Sequence, residues 1–342
     1  MGHAASGGSW NSNLPFSSTN RFHPVKLTII PMKKLLLLAS SSLFLLSGWV
    51  SAQGINTSDL RAYAGSLYIG GEALRQVSAF TEDQLLYGPG LTGGFGYGNY
   101  DIEEEEDRRF EGDIETLSGS AAYVHAFDGL NVGIVFTAVD GELDSVGTDL
   151  NPNVAVETQG DGWLLTAGAA KTWEKLSLVL KGTAGELSFD SEREDGNLNT
   201  KESDYDLTLY QIELAAFYTL LANEDLSLSP FAKLGYAALE NDGFEESNSP
   251  DAVVVDDFED DRPYAEIGLE GRLLTLGAFV PSASISVWHD LGDDEVAFQG
   301  TDAASNPFAF ETPDAAETVV EGELGFGWAL GNGLDLNASA GY

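Results

Sequence analysis

The sequence lacks cysteine altogether and has few basic residues, histidines or methionines. Without cysteine there can be no disulfide, thiolate metal site, iron–sulfur cluster or cysteine nucleophile. Lys plus Arg number 16 against 55 Asp plus Glu, so the 342-residue chain has a formal net charge of -39. Because nucleic-acid phosphates attract cationic surfaces, this balance excludes a basic nucleic-acid binder. With only four histidines, we predict no metal centre, cofactor or catalytic residue.

Residues 32–52 have the parts of a secretory signal peptide. Two lysines at 33–34 precede an apolar run over 35–46, and small residues stand at 50–52. The run is shorter than the roughly 20 residues of a membrane-spanning helix. We therefore predict a signal peptide cleaved near Ala52, with a buried core helix as the alternative.

The residues ahead of this signal do not fit an exported protein. Met1 and Met32 are the only two methionines, and residues 1–31 are rich in Ser, Gly and Asn without periodicity. We predict that translation starts at Met32 and that 1–31 is a disordered, over-extended gene start. Residues 53–90 are predicted to hold a linker and a helix.

From residue 91 onward the chain alternates with period two, which predicts strands. Tyr210, Ile212 and Leu214, for example, are interleaved with Gln211 and Glu213. We predict eleven strands, at 91–101, 114–127, 130–140, 162–173, 176–189, 205–220, 226–239, 263–274, 279–289, 318–330 and 334–342.

The strand lengths and the phase of the charges favour a membrane barrel. The segments match the roughly 9–11 residues of a tilted membrane strand better than the 5–6 of a soluble one. A charge facing lipid at midplane costs about 2–4 kcal/mol. Charged residues on the phase opposite the apolar face are therefore predicted to line a polar lumen, and the alternative is a solvated strand face. These residues are Glu213, Lys233, Glu266, Glu270 and Glu321.

Short and long connections alternate, as in outer-membrane barrels with short periplasmic turns and long outer loops. The short turns are predicted at 128–129, 174–175, 222–225, 275–278 and 331–333. The long loops are predicted at 101–115, 140–161, 190–206, 240–261 and 290–317. These loops contain 40 of the 55 acidic residues, which predicts one acidic rim.

Strand parity suggests that the final strand is missing. Bacterial barrels normally have an even strand number with both termini periplasmic. If the eleventh strand were the last, Tyr342 would lie at the outer side. We predict a fragment lacking its last strand. The alternative is that 334–342 is the true final strand and that the upstream count is wrong.

Ahead of the barrel, apolar residues recur at helical spacing over 59–80, with Ser58 or Asp59 as a candidate cap. The spaced residues are Leu60, Tyr63, Ala64, Leu67, Gly71, Leu74 and Val77. A strand at 60–70 is the alternative. A helix followed at once by the Gly-rich strand at 91–98 resembles the autotransporter β-domain family. The resemblance continues through 229–236, 242–246 and 281–294, and it covers about 59–342.

This resemblance implies a 12-stranded outer-membrane barrel with an α-helix in its lumen and an assembly signal in its last strand. On that template the chain shows the first eleven strands. Family members normally export a passenger ahead of the helix, but only about 38 residues separate Gln53 from this barrel. The paired Asn of self-cleaving members is absent, so cleavage is not expected.

Chemistry-bearing groups are sparse. His289 with Asp290, Asp293 and Asp294 at an outer strand end, and His125 near a turn, are the candidates for acid–base catalysis, but a solvated histidine is the stronger interpretation. The acidic clusters 103–107 and 256–261 could hold Ca²⁺ or Mg²⁺. They lack the spacing of a dedicated calcium loop, so a diffuse counter-ion role is favoured.

We therefore predict an all-β transmembrane antiparallel barrel over 91–342, in the outer membrane of a Gram-negative bacterium. Its expected role is that of a translocator-like, pore-like or surface structural protein, not an enzyme. Expected partners are outer-membrane lipids and lipopolysaccharide, the barrel assembly machinery and divalent cations at the acidic loops, but no nucleic acid. The alternatives are an outer-membrane hydrolase and a secreted soluble β protein.

Overall fold

A computed structural model describes most of the chain from residue 63 onward. The described residues are 24–27, 63, 65–87, 90–102, 110–147, 155–194, 200–247, 252–274, 279–292, 296–311, 318–331 and 334–341. Among them, no helix combines the length and the apolar character needed to cross a membrane.

One helix and a series of mostly long strands make up these residues. The helix α1 spans Gly65–Tyr87. The strands, in chain order, are β1 Pro24–Leu27, β2 Gly90–Ile102, β3 Phe110–Phe127, β4 Leu130–Gly147, β5 Ala155–Trp173, β6 Leu176–Glu194, β7 Thr200–Tyr218, β8 Leu221–Ala222, β9 Leu226–Asn241, β10 Phe244–Glu245, β11 Val253–Val255, β12 Phe258–Leu273, β13 Phe279–Asp290, β14 Ala297–Asp302, β15 Pro307–Glu311, β16 Thr318–Gly331 and β17 Leu334–Gly341.

The eleven long strands form a sheet that returns on itself. Neighbours from β2 through β7 and β9 pair antiparallel in chain order, and the series continues through β12, β13, β16 and β17. The first and last of them, β2 and β17, run in the same direction. Between them lies the four-residue β1, which pairs parallel with both. The sequence does not predict β1.

The predicted all-β antiparallel barrel is confirmed, and each of the eleven predicted strands has its counterpart. The tight turn after β3 is also confirmed, because Asp128 and Gly129 have φ of 44° and 81°, as a two-residue hairpin requires. We call the end of the barrel with the short turns at 128–129 and 174–175 the turn end, and the opposite end the loop end.

The predicted long loops need correction at the loop end. There β3 starts at Phe110, β4 continues to Gly147, β5 starts at Ala155 and β6 continues to Glu194, so much of three predicted loops is strand. Two other predicted loops contain short strands that form a separate four-stranded antiparallel sheet, in the order β10-β11-β14-β15. We call this sheet the lid.

Side chains alternate between the outside of the barrel and its lumen. In β6, exposed and buried positions alternate without a break from Val179 to Glu194. Many large apolar side chains of the outer face are exposed, among them Ile134, Phe136, Ile212 and Leu234. Soluble proteins rarely expose so many large apolar side chains on one face, so this outer belt has the character of a lipid-facing surface.

Candidate functional site

The lumen of the barrel contains α1, which runs from the loop end to the turn end. At its start, the Tyr63 hydroxyl contacts Glu246 beside the lid. Near its end, Leu85 O accepts a hydrogen bond of 2.7 Å from Asn131 Nδ2, next to the first tight turn. The predicted helix is confirmed from Gly65 onward and extends seven residues beyond residue 80, which excludes a strand at 65–70.

The Gly-rich start of β2 lets the wall approach the helix closely. A Cβ at Gly94 would lie 2.6 Å from the Phe80 ring, and one at Gly96 would lie 2.7 Å from Gln76 Oε1. Gln76 also accepts a 2.6 Å hydrogen bond from Ser118 Oγ and donates one of 2.9 Å to Thr116 Oγ1. Glycine on the lumen face of β2 is thus required by close backbone approach.

A buried charge network holds the C-terminal half of α1 to the wall. Lys181 Nζ forms ion pairs with Glu82 of the helix and, at 2.7 Å, with Glu213 Oε1 of β7. It also donates a 3.1 Å hydrogen bond to Ser78 O. The side chains of Lys181, Glu82 and Glu213 are all less than a tenth exposed. Buried charges are tolerated only when paired in this way.

A second lysine extends the network toward β12. Lys233 Nζ lies 3.2 Å from Glu82 Oε2 and 3.1 Å from Glu266 Oε2. The Tyr264 hydroxyl donates a 2.6 Å hydrogen bond to Glu213 Oε2 and accepts one of 2.9 Å from Gln211 Nε2. The network therefore contains three carboxylates and two ammonium groups, and Glu82 of the helix binds both lysines.

The predicted lumen charges are confirmed where the structure describes them. Glu213, Lys233, Glu266 and Glu270 all point inward, whereas the side chain of Glu321 lies outside the described residues. Glu270 pairs with Arg272, which also reaches Asp83 of α1 at 3.1 Å.

Several members of the network were not singled out in the sequence. Lys181 stands on the strand face opposite the apolar Leu180. Glu213 was predicted to face the lumen because it is charged and lies opposite an apolar face, and Lys181 meets the same criterion. Tyr264 and Gln211 are uncharged and carry no such signal. Glu82 lies beyond the predicted helix end, and only its i+4 spacing from Ser78 could have placed it on the same helical face.

At the loop end, outward-facing carboxylates cover the wall above the apolar belt. Asp113, Asp144, Glu157, Glu192 and Glu202 stand directly opposite one another on five consecutive strands. All five side chains are exposed. Among the described residues, the acidic rim thus lies largely on strand extensions and not, as predicted, in loops.

One group of acidic residues in this wall has a spacing that could hold a cation. Carboxylate oxygens of Glu142, Asp144 and Glu157 lie within 4.8 Å of one another. The predicted cluster 103–107 lies outside the described residues. The cluster 256–261 is divided by strand alternation, since Asp260 points inward to Arg262, while Asp261 is exposed and accepts a hydrogen bond from Tyr236.

The predicted catalytic candidates are not brought together. His289 Nδ1 lies 2.9 Å from Thr318 Oγ1 and Asp290 is buried. As neighbours in β13 they point to opposite faces of the sheet. Asp293 and Asp294 lie outside the described residues. His125 is exposed near the turn end, with its ring 4.3 Å from that of Phe127.

Comparison with known proteins identifies the barrel. The family profile of the autotransporter beta-domain matches residues 93–341. The chain belongs to this family. The translocator domain of the autotransporter NalP from Neisseria meningitidis has a similar fold, with a TM-score of 0.63 and 19% identity over 84% of this chain and 93% of that one.

A second autotransporter β-domain supports the same fold. The transport unit of AIDA-I from Escherichia coli has a TM-score of 0.58 and 12% identity, over 83% of this chain and 92% of that one. Among curated proteins no match is found. The family and the exposed apolar belt place this autotransporter β-domain in the outer membrane.

Proposed function

We propose that this chain is an outer-membrane translocator-type barrel that places the residues ahead of its own lumen helix at the cell surface. The observation that carries the proposal is the direction of α1. Tyr63 contacts Glu246 at the loop end, and Leu85 contacts Asn131 at the turn end. With the turn end in the periplasm, the chain joins α1 from the outer side.

The charge network supports a helix that stays in the lumen. Glu82 binds both Lys181 and Lys233, and Arg272 binds Asp83. Withdrawing the helix would break the ion pairs of both buried lysines with Glu82 and the hydrogen bond from Lys181 to Ser78 O, and leaving buried donors unsatisfied is costly. The mature protein is therefore a barrel closed by its own helix, with pore-like architecture but little free cross-section.

The remaining parts of the proposal concern export and surroundings. Residues 32–52 serve as a signal peptide cleaved near Ala52, in a Gram-negative cell. Outer-membrane lipids and lipopolysaccharide surround the apolar belt, the barrel assembly machinery inserts it, and divalent cations screen the acidic wall around Glu142 and Glu157. No catalytic step is part of the proposal.

An epitope insertion tests the direction of the helix. An epitope placed between Gly54 and Ile55 of the full chain is expected to bind antibody on intact cells. The matched control carries the same epitope in the turn at 128–129, which faces the periplasm in this proposal. The control is expected to bind antibody only after the outer membrane is permeabilised.

Two results would contradict the proposal. One is an epitope at 54–55 that becomes accessible only after permeabilisation, although the barrel shows heat-modifiable migration. The other is a turn epitope that is accessible on intact cells, since that would invert the barrel.

A further inference from the structure

The carboxylate of Glu246 connects three parts of the molecule at the loop end. Arg193 of the wall donates two hydrogen bonds of 2.6 Å to it, from Nε and Nη2. The hydroxyl of Tyr63, just ahead of α1, donates one of 2.8 Å. The backbone N–H of Val253 in the lid donates one of 3.1 Å. The side chain of Glu246 is fully buried.

Aromatic rings pack around the same point. The ring of Tyr63 lies 4.5 Å from that of Phe244 in the lid. Phe244 stacks on Tyr205 of β7 with a centroid distance of 5.0 Å, and Tyr205 stacks on Phe189 of β6 at 5.4 Å. The start of the helix, the lid and the wall are therefore in apolar as well as polar contact.

The lid closes over this point with its apolar face inward. Val255, Phe298 and Phe308 are buried and belong to the same apolar cluster as Leu67 and Leu74 of α1. Phe298 also packs on Phe258 of the wall strand β12, with a centroid distance of 4.2 Å. The lid is therefore held partly by the wall and partly by Tyr63 and the first turns of α1.

The hydrogen bonds to Glu246 make this dependence specific. When a buried carboxylate loses one of its hydrogen-bond donors, one of its oxygens is left partly unsatisfied, and the cost of its desolvation is no longer offset. Burial raises the pKa of Tyr63, so its hydroxyl remains a donor at physiological pH. Arg193 and Val253 would still bind Glu246 without the helix, but Tyr63 would not.

We propose that Glu246 is a latch that couples the position of the helix to closure of the barrel mouth. While α1 is seated, Tyr63 completes the shell of donors around Glu246 and the lid stays over the lumen. When the start of the helix moves away, the lid opens. This inference rests on the proposed function, because it requires the loop end to face outward.

Because the chain has no cysteine, single cysteines can report on the lid. Ser191 lies on the lumen face of β6, two residues before Arg193, and its Oγ is 3.2 Å from the Tyr205 hydroxyl. Ala304 is exposed in the turn between the lid strands β14 and β15. A membrane-impermeant maleimide on intact cells is expected to label Ala304→Cys rapidly and Ser191→Cys slowly.

Opening the latch should expose residue 191. Adding Tyr63→Phe to Ser191→Cys removes one hydrogen bond to a buried carboxylate and keeps the ring, so labelling is expected to rise about tenfold. Glu246→Gln should raise it further. The matched control is Tyr236→Phe, which removes a 2.7 Å bond to exposed Asp261 and is expected to leave labelling unchanged.

The outcomes separate this inference from the proposed function. Failure to label Ala304→Cys on intact cells would contradict the outward loop end and hence the proposed function. If Ala304→Cys is labelled, two results would still overturn the latch. One is a labelling rate at Ser191→Cys that is the same with and without Tyr63→Phe. The other is fast labelling of Ser191→Cys while Tyr63 is intact. Should Glu246→Gln lose its heat-modifiable migration, the Tyr63→Phe comparison decides.

Discussion

At the scale of the residue, the lumen is organised by Lys181. Its ammonium group lies among Glu82, Glu213 and the carbonyl of Ser78, so one side chain connects two strands to the helix. Such buried pairs add little stability compared with apolar packing, but losing one partner leaves an uncompensated charge. Lys181 therefore fixes the height and rotation of α1 in the barrel.

Replacing Lys181 with methionine tests this role. Lys181→Met keeps the aliphatic length but leaves Glu213 and Glu82 short of one positive charge, and about 3–5 kcal/mol of folding free energy is expected to be lost. The measurement is the temperature at which the folded band converts to the unfolded band in detergent gels.

Lys175→Met is the matched control, because Lys175 is exposed in a tight turn. The control is expected to unfold at the temperature of the unsubstituted protein. An equal midpoint for Lys181→Met and the control would exclude the network as a determinant of stability.

The role of a residue was predictable from the sequence only where a charged side chain stands on the strand face opposite the apolar one. Glu213 and Lys233 are anomalous in a lipid-embedded strand, so their inward placement follows from the cost of charge in lipid. The contacts of Tyr264 depend instead on its side chain reaching from β12 over Gly235 of β9 to Gln211 and Glu213 of β7. No local pattern encodes that pairing, because β7 and β12 are separated by β9 in the sheet.

At the scale of the element, the helix fits inside the barrel because β2 has glycine at positions on its inner face. Gly94 and Gly96 face Phe80 and Gln76 at distances that exclude a Cβ. Gly93, on the opposite phase, has only the Ser120 carbonyl oxygen nearby, at 3.4 Å. Neighbouring glycines in the same strand thus have different reasons to be present.

This difference gives a sharp comparison of two alanine variants. Gly94→Ala places a methyl group against the Phe80 ring, and overpacking of this kind costs about 1–3 kcal/mol. Gly93→Ala adds a methyl group to the outer face and is expected to change the unfolding temperature little. Equal unfolding temperatures for the two variants would contradict the close approach of helix and wall.

Strand positions were predictable, but their outer ends were not. Within the belt the outward face is apolar, and this alternation of apolar and polar residues identifies each strand. Beyond the belt the outward positions of β4 become Asp140, Glu142 and Asp144, while Leu143 points inward. The alternation continues with its polarity reversed, so these extensions resemble loops. The lid was missed because its strands are too short to show a period.

At the scale of the whole molecule, three zones follow from where charge can be tolerated. The outer belt is apolar, the wall above it is acidic, and the lumen charges of the network are paired between neighbouring strands and with the helix. The family match and the curled sheet agree with this arrangement. The sequence predicted the belt and the acidic end, but not that the helix and the lid share one apolar cluster.

A cross-link between helix and wall in outer-membrane vesicles tests whether α1 occupies the lumen of the membrane-embedded barrel. Gln76 of the helix touches Ser118, whereas the next residue, Gly119, faces outward beside Phe95. A short thiol-specific cross-linker is predicted to join Gln76→Cys to Ser118→Cys efficiently, but not to Gly119→Cys. Equal yields for the two pairs, or no linkage to Ser118→Cys, would contradict the account.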